Sequence, residues 1–348
     1  MLFPIGMREY WRGTAADADN VQEIRLRCNL PIQVIRGGRE RFLDEKGFYT
    51  DKPEQARRIE GAQIREILRH ICHYSPYAYE DEIRQGFLTV SGGHRVGVAG
   101  QTVLEGETGV RTIKNISYLN IRVSHQIKGA GDQVLPHLYR DGEIQNTLII
   151  SPPGCGKTTL LRDLVRQVSD GNAYGGGRCV GVVDERSEIA GCFLGIPQND
   201  VGMRTDVLDA CPKALGMMML LRAMAPQVIA IDELGGKKDA EALRLAASCG
   251  SRILATIHGS EPDDIRRKEG MDRLFREGIF RHFVILTKKN GRCAVKTILG
   301  REEAYAACHG ERDGNSRLFR SGVLVPAAVC AEDPAAAYDE PDHGNDDE

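Results

Sequence analysis

A glycine-rich loop at residues 151–158, with the sequence S-P-P-G-C-G-K-T, is the segment whose residue types point most directly to chemistry. Gly154 and Gly156 allow the backbone to curl so that successive N–H groups converge on phosphate oxygens. Lys157 then reaches the terminal phosphates, and Thr158 offers a hydroxyl to Mg²⁺. The loop predicts a site for ATP and Mg²⁺, although the usual pattern begins with glycine and position 151 is serine. The predicted nucleotide-binding residues are Ser151, Pro152, Pro153, Gly154, Cys155, Gly156, Lys157, Thr158 and Thr159.

An acidic pair, Asp232 and Glu233, ends a short apolar run at residues 228–231. Phosphoryl transfer to water needs a carboxylate near the metal and a second group that polarises the attacking water. We assign the first role to Asp232, with Thr158 as the other metal-site residue, and the second role to Glu233. Apolar strands that end in D-E are common, so this assignment depends on the combination with the glycine-rich loop.

Two other apolar runs also end in polar residues, D-E-R-S-E at 184–188 and A-T-I-H at 255–258. The carboxyl ends of parallel strands gather at one edge of a sheet, where ligands bind. We therefore expect Glu185 and His258 to join Glu233 as catalytic candidates, with Glu185 as the alternative base. His258 is expected to sense the terminal phosphate or a metal-bound water. The competing interpretation of His258 is a hydrogen-bonded loop histidine.

The segments that must position these residues alternate, from about residue 131 onward, between apolar strands and helical stretches. This alternation is typical of a parallel sheet wound by crossover helices. The apolar runs favour strands that are buried on both faces. Helices are predicted over residues 159–166 and 212–224. The predicted strands lie at residues 146–150, 179–183, 227–231, 252–256 and 282–286.

Residues before about 130 show a different pattern. Apolar and charged residues alternate at 23–28, which predicts a half-buried strand, and isoleucines at three- and four-residue spacing predict a helix over 61–73. Strand-like segments at 89–98 and 101–104 are separated by glycines. The predicted organisation is a small N-terminal α/β domain with an antiparallel element at 1–130, a P-loop domain at 131–315 and a largely disordered acidic tail at 316–348.

Composition indicates an ordinary globular protein, with 41% hydrophobic and 27% charged residues among 348. No apolar run is long enough for a transmembrane helix, the N-terminus is charged, and the ten cysteines form no C-x-x-C pair. We therefore expect a cytoplasmic protein with reduced thiols. The net charge of −3 includes eight acidic residues at 331–348, which leaves +5 for residues 1–330. A positive excess of this size is weak evidence for nucleic-acid binding.

Several motifs together resemble one family. Four motifs resemble those of the type II and type IV secretion ATPases. They are the glycine-rich loop, the D-E pair, the D-E-R-S-E segment at 184–188, which we call the acidic box, and the A-T-I-H segment at 255–258, which we call the histidine box. The segments I-R-L-R, G-G-H-R-V-G-V-A-G, L-N-I-R-V and V-V-D-E-R-S-E-I-A-G are similar to those of the stage III sporulation protein AA family. They lie at residues 24–27, 92–100, 119–123 and 182–191. The similarity extends from about residue 23 to 300 and includes the N-terminal region.

The resemblance implies an α/β fold with a RecA-like P-loop ATPase core and a smaller N-terminal α/β domain. It implies an ATP-hydrolysing motor that forms a homo-oligomeric ring, a hexamer. Its partners would be membrane-embedded components of a sporulation channel complex, reached from the mother-cell face as a peripheral cytoplasmic protein. Such rings place the nucleotide between domains or subunits, where an arginine stabilises the transferred phosphoryl group. The candidates are Arg95, Arg186 and Arg222, each of which is more often a surface or ion-paired residue.

Two other functions remain compatible with the motifs. RecA-like cores also drive nucleic-acid motors, but a basic groove with interleaved aromatic residues is not evident in a chain with 6% aromatics, and no nucleic acid is expected as a partner. A nucleotide-dependent assembly scaffold would bind ATP and hydrolyse little of it. The presence of Glu233 argues against the scaffold.

Overall fold

The computed structural model of this chain describes residues 2–106, 109–289 and 292–309. Its main strands form two seven-stranded sheets, which we call the first sheet and the second sheet in chain order. Within the described residues, no helix combines the length and the apolar character needed to cross a membrane. The tail predicted at 316–348 lies outside the described residues.

The first sheet is antiparallel throughout and packs a hydrophobic core against the short helices of the N-terminal region. Its strands β1 to β7 lie at Val21–Arg27, Gln33–Arg36, Arg39–Leu43, Tyr49–Thr50, Phe87–Val90, His94–Glu105 and Gly109–Arg122. The spatial order is β4-β3-β2-β1-β7-β6-β5. Helices α1 to α3 lie at Arg12–Ala16, Gly61–Ile71 and Glu80–Gln85, and 3₁₀ turns lie at Ile5–Met7, Ala18–Asn20, Pro53–Gln55 and Pro76–Tyr79. Helix α2 buries Ile64, Ile67 and Ile71, which explains its three- and four-residue spacing.

A short connection leads from the first sheet to the second. It contains helix α4 at Leu135–Leu138 and a two-stranded ribbon formed by β8 at Tyr139–Arg140 and β9 at Glu143–Ile144. Leu135, Leu138 and Ile144 are buried in the core of the second sheet. The connection is therefore packed against the second sheet.

The second sheet is parallel except for its last strand, which runs antiparallel to its neighbour. Strands β10 to β16 lie at Thr147–Ser151, Val180–Asp184, Thr205–Asp209, Val228–Ile231, Arg252–His258, His282–Lys289 and Arg292–Gly300. Their spatial order is β12-β11-β13-β14-β10-β15-β16. Helices α5 to α10 lie at Lys157–Asp170, Lys213–Ala223, Lys237–Ser248, Pro262–Arg266, Met271–Glu277 and Arg301–His309.

Both faces of the second sheet are covered, and this explains the continuous apolar runs of its central strands. Along β10, Ile149 joins a core cluster with α5, whereas Leu148 and Ile150 join a cluster with α6, α7 and α9 on the opposite face. Each fully buried Leu or Ile side chain contributes about 1.5–3 kcal/mol of transfer free energy. An alternating pattern would leave one of these faces without apolar side chains, so continuous runs are required.

The five strands predicted for this sheet are confirmed, with bounds that shift by one to three residues. Two strands that the sequence did not reveal, β12 and β16, occupy the sheet edges. In the first sheet the predicted segment 89–98 is divided by a turn into β5 and β6, and β6 continues through 101–104. The turn contains Gly92 and Gly93, with φ angles of 88° and 71° that reverse the chain.

Candidate functional site

The glycine-rich loop joins β10 to α5, as predicted. Gly154 and Gly156 have φ angles of 65° and 80°, in the left-handed region that favours glycine. A Cβ at Gly156 would also lie 3.3 Å from the Sγ of Cys293, so a side chain there would be crowded as well as strained. Helix α5 begins at Lys157 and runs for 14 residues. The loop therefore presents a helix N-terminus, an arrangement that favours phosphate binding.

Ser151 stands where the usual pattern has glycine, and it is the last residue of β10 and fully buried. Its hydroxyl donates a 2.8 Å hydrogen bond to the Pro152 carbonyl. In the ladder it pairs with His258 of β14, and its carbonyl accepts the Gly259 N–H at 3.2 Å. The position is a strand end whose side chain is satisfied locally, so it does not require glycine.

Asp232 lies directly beyond β13 and beside the first turn of α5. The Thr158 hydroxyl donates to its Oδ2 at 2.5 Å, and the Thr256 hydroxyl donates to its Oδ1. A hydroxyl and a carboxylate are the hard oxygen ligands that Mg²⁺ takes beside phosphate. The residues present fit a Mg²⁺ ion that would be shared with a bound nucleotide. No group of three or more His, Cys, Asp or Glu with metal-binding geometry occurs in the part of the chain that the structure describes.

Glu233 has three positively charged or hydrogen-bonding partners around one carboxylate. Its Oε1 lies 2.6 Å from the Lys157 Nζ and 3.0 Å from the His258 Nε2, and its Oε2 lies 2.8 Å from the Arg186 Nη1. Burial acts to raise the pKa of Glu233, but the Lys157 hydrogen bond and the charges of Lys157, Arg186 and His258 outweigh it. The net effect is a pKa below the ordinary value. The carboxylate is therefore held ionised.

The backbone of Glu233 is unusual as well. Its φ of 57° is left-handed although it carries a side chain, a conformation that costs free energy and concentrates at functional sites. Its N–H donates to the Thr256 Oγ1 at 2.8 Å, which stabilises this turn. Hydrogen bonds and ion pairs therefore restrain both the backbone and the carboxylate of Glu233.

His258 is the last residue of β14, so it lies at a strand end and not in a loop. Its Nε2 faces Glu233, and its Nδ1 is buried without a hydrogen-bond partner among the described residues. Its carbonyl accepts a 2.5 Å hydrogen bond from the Lys268 Nζ. The structure thus brings His258 together with Lys157 and Glu233.

Glu185 is not brought to this group. Its carboxylate pairs with Lys213 of α6, and it is absent from the described residues that line the cleft around Lys157. The acidic box instead contributes Glu188, whose Oε1 lies 2.9 Å from the Arg95 Nη1. Ser187, with a φ of 53°, reverses the chain between the two glutamates. Sequence spacing alone does not reveal that reversal.

Asp184 stabilises this turn by accepting hydrogen bonds from its backbone amides. It is buried, and its two oxygens accept the N–H groups of Glu188, Ile189 and Ala190 at 2.8 to 2.9 Å. Burial raises the pKa of Asp184 to about 6, although the backbone hydrogen bonds act in the opposite direction. The residue therefore has a structural role, because its oxygens are occupied by amides.

Arg162 of α5 also stabilises this turn, and it was not among the residues predicted from the sequence. Its Nε donates to the Ile189 carbonyl at 2.6 Å and its Nη2 to the Glu188 carbonyl at 2.5 Å. Burial lowers the pKa of Arg162, although the charges of nearby carboxylates act in the opposite direction. Its position four residues after Thr158, on the same face of a helix, is the signal that could have identified it.

The first sheet also reaches the site. Arg95 of β6 pairs in the ladder with Arg122 of β7, and its guanidinium lies 3.7 Å from the centre of the Phe87 ring. Burial lowers the pKa of Arg95, although Glu188 acts in the opposite direction. Arg222, by contrast, is exposed on α6 and is not among the described residues of the cleft.

The β5–β6 turn packs against the loop that follows β11. A Cβ at Gly191 would lie 3.2 Å from the Gly93 Cα, so the two backbones approach closely at this point. The Gly92 N–H donates to the Gln198 side-chain oxygen at 2.9 Å. The two sheets thus meet beside the glycine-rich loop.

These elements enclose a cleft of about 490 Å³. Five cationic side chains line it, against two carboxylates from Glu188 and Glu233. An excess of cations in a partly enclosed cleft attracts a polyanion. The lining residues are Gly93, Arg95, Arg122, Val123, Ser124, Pro153, Gly154, Lys157, Thr158, Arg162, Arg186, Ser187, Glu188, Asn199, Glu233 and His258.

Comparison of the sequence with known proteins identifies relatives over most of the chain. The profile of the family described as "Sporulation stage III, protein AA" matches residues 1–305. "Stage III sporulation protein AA" of Bacillus subtilis (strain 168) is 40% identical over 303 residues, which cover 87% of this chain and 91% of the relative. The family resemblance inferred from the motifs is confirmed.

Solved structures show where the fold recurs. The Legionella pneumophila ATPase DotB superposes with a TM-score of 0.56 at 16% identity, covering 89% of this chain and 85% of DotB. The pilus retraction motor PilT, solved with bound ADP, superposes with a TM-score of 0.57 at 16% identity, covering 87% of this chain and 86% of PilT. These similarities confirm the predicted fold class.

Proposed function

The chain belongs to the sporulation stage III protein AA family, and from this membership and the composition of the cleft we propose that it is an ATP-hydrolysing motor. The motor would energise a membrane export or channel complex that serves sporulation. One observation carries the proposal. Lys157, Thr158 and Glu233 line a single cationic cleft at the N-terminus of α5, and Asp232 accepts a hydrogen bond from the Thr158 hydroxyl.

The reaction that this arrangement supports is in-line attack of water on the terminal phosphate of ATP. Lys157 would neutralise charge on the terminal phosphates, while the N–H groups at the start of α5 bind phosphate oxygens. Thr158 and Asp232 would hold Mg²⁺, which supplies further neutralisation of phosphate charge. Glu233 would orient and polarise the water. The low pKa of Glu233 suits this role because the carboxylate stays ionised.

Arg95 is the candidate for the arginine that stabilises the transferred phosphoryl group. It lines the cleft from the first sheet of the same chain and is paired with Glu188. A bound triphosphate would compete with Glu188 for its guanidinium, because phosphate offers bidentate acceptors of higher charge. Nucleotide binding would then act directly on a contact between the two sheets.

The assembly is proposed from the resemblance to secretion ATPases, with the solved structures of similar fold as support. DotB is an ATPase and PilT a pilus retraction motor, and a motor on a membrane complex needs a fixed base against which to move. We propose a homo-oligomeric ring, a hexamer, docked as a peripheral cytoplasmic protein on membrane-embedded components of a sporulation complex. The organisation into residues 1–130, 131–315 and 316–348 belongs to this proposal. No nucleic-acid partner is proposed.

Measurement of phosphate release from ATP by the full chain, with Mg²⁺ and after chelation, tests the proposal. We expect turnover with Mg²⁺ and its loss on chelation, since charge neutralisation by the ion is required. ATP binding without turnover would favour the nucleotide-dependent scaffold. Failure to bind ATP at all would refute the proposed site.

A further inference from the structure

The two oxygens of the Glu233 carboxylate have different partners, and the difference assigns roles to those partners. Lys157 and His258 contact Oε1, whereas Arg186 contacts Oε2. Lys157 is also the residue expected to bind the terminal phosphates. Its ammonium cannot keep a 2.6 Å contact with Glu233 and at the same time turn fully to a triphosphate.

Departure of Lys157 would leave His258 as a partner of Oε1 and would open the second acceptor position of that oxygen toward the phosphate site. That oxygen would then be free to accept a hydrogen bond from a water beside the terminal phosphate. The opposite oxygen would remain bonded to Arg186, which limits rotation of the carboxylate about its last torsion. A carboxylate with one fixed oxygen presents the other in a defined direction, and orientation of this kind is a large part of catalysis.

The segment that carries Arg186 is itself well anchored. The Ser187 hydroxyl donates to the Asp209 Oδ1 at 2.6 Å, and the Glu188 N–H donates to the Asp184 Oδ1 at 2.8 Å. The Arg186 side chain is 59% exposed, and that of Glu233 is 18% exposed. Arg186 therefore reaches inward from a fixed turn, while its remaining guanidinium surface faces solvent.

Resting on the proposed ATPase function, we propose that Arg186 is a positioning residue. It holds Oε2 of Glu233 so that Oε1 faces the attacking water once Lys157 has moved to the nucleotide. In this role Arg186 does not contact the phosphates, which distinguishes it from Arg95.

The test measures kcat and KM for ATP of Arg186→Ala and Arg186→Lys, with Arg222→Ala as the exposed-arginine control. For Arg186→Ala we expect kcat to fall by about 10- to 100-fold and KM to change by less than about twofold. Arg186→Lys keeps a positively charged donor for Oε2 and should recover part of the lost kcat. The Arg186 side chain is 59% exposed, so its replacement should cost little stability and all variants should remain folded.

The outcomes separate this inference from the proposed function. A raised KM or weaker ATP binding in Arg186→Ala at unchanged kcat would place Arg186 on the phosphates and overturn the positioning role. An unchanged kcat for Arg186→Ala beside an active wild type would overturn this inference alone. Absence of turnover in the wild type would overturn the proposed function and the positioning role together.

Discussion

The ammonium of Lys157 lies 2.6 Å from the carboxylate of Glu233, so the residue expected to bind phosphate contacts the residue expected to activate water. A nucleotide must replace this contact when it enters, because the phosphates need the same ammonium. Binding and activation of the base would thus occur in one event. This relationship leads to measurable expectations for both residues.

Replacement of Lys157 by alanine should weaken ATP binding by about 10- to 100-fold, the effect of losing a hydrogen bond from a charged group. It also leaves Glu233 without its closest cation beside the phosphates. Calorimetric titration with ATP measures the change. Lys213→Ala is the control, because Lys213 pairs with Glu185 away from the cleft. Equal affinities of the two variants would argue against the assigned phosphate site.

Replacement of Glu233 by glutamine should preserve ATP binding and reduce turnover by about 10²- to 10⁴-fold, the usual loss for a positioned acid–base group. Glutamine keeps the shape of the side chain but lacks the carboxylate. Glu185→Gln is the matched control and should retain turnover, since Glu185 faces Lys213. The reverse result, with Glu185→Gln inactive and Glu233→Gln active, would assign the base to the acidic box.

Replacement of Arg95 by alanine should lower turnover by about 10³-fold or more, as for arginines that stabilise transferred phosphoryl groups. Mixing Arg95→Ala with Lys157→Ala subunits shows which chain supplies the arginine. We expect no recovery of activity, because Arg95 and Lys157 line the same cleft of one chain. Recovery in mixed assemblies would show that the arginine acts on a neighbouring subunit.

The buried Asp184 should make stability depend on pH. The pKa of Asp184 is about 6 in the folded chain, compared with the ordinary value of 3.8. The folded chain therefore binds the proton more tightly than the unfolded chain does. Its stabilising effect is present below pH 3.8 and is lost as pH rises through about 6. Relative to Asp184→Asn, the wild type should lose about 2–3 kcal/mol of unfolding free energy over this range. Denaturant titrations at several pH values measure the difference, and parallel curves would contradict it.

The proposed ring should make specific activity rise with protein concentration, because each subunit would be stabilised by its neighbours. Light scattering with and without nucleotide reports the size of the species that hydrolyses ATP. A monomer with concentration-independent activity would remove the ring from the proposal. The assignment of the nucleotide site would be unaffected by that result, since it rests on contacts within one chain.

The sequence predicts those parts of the fold that depend on local chemistry. The central strands of the second sheet are predictable because burial on both faces demands apolar runs. Edge strand β12 was not predicted, because its residues T-D-V-L-D are half-buried and mix polar with apolar side chains. Its place in the sheet depends on backbone pairing with β11, a strand that is distant in sequence. The local residue pattern does not reveal that pairing.

The candidate site likewise contains residues that local motifs reveal and residues that only the folded chain brings together. Lys157, Thr158, Asp232 and Glu233 follow from motifs whose spacing is local. The choice between Glu185 and Glu188 depends on the left-handed Ser187, and spacing within the acidic box does not reveal that turn. The role of Arg162 depends on hydrogen bonds across 26 and 27 residues of sequence. Such relations require the folded chain.

The close approach of Gly93 and Gly191 joins the two sheets through bare backbone. Close to it, Phe193 of the same loop packs against the core of the first sheet, and its ring centre lies 5.6 Å from that of His73. Around it are polar contacts such as Arg95–Glu188 and Lys128–Asp200, whose groups are partly exposed and can exchange partners with water. Separation of the two sheets beside the nucleotide cleft would therefore break these ion pairs and would also expose the apolar ring of Phe193.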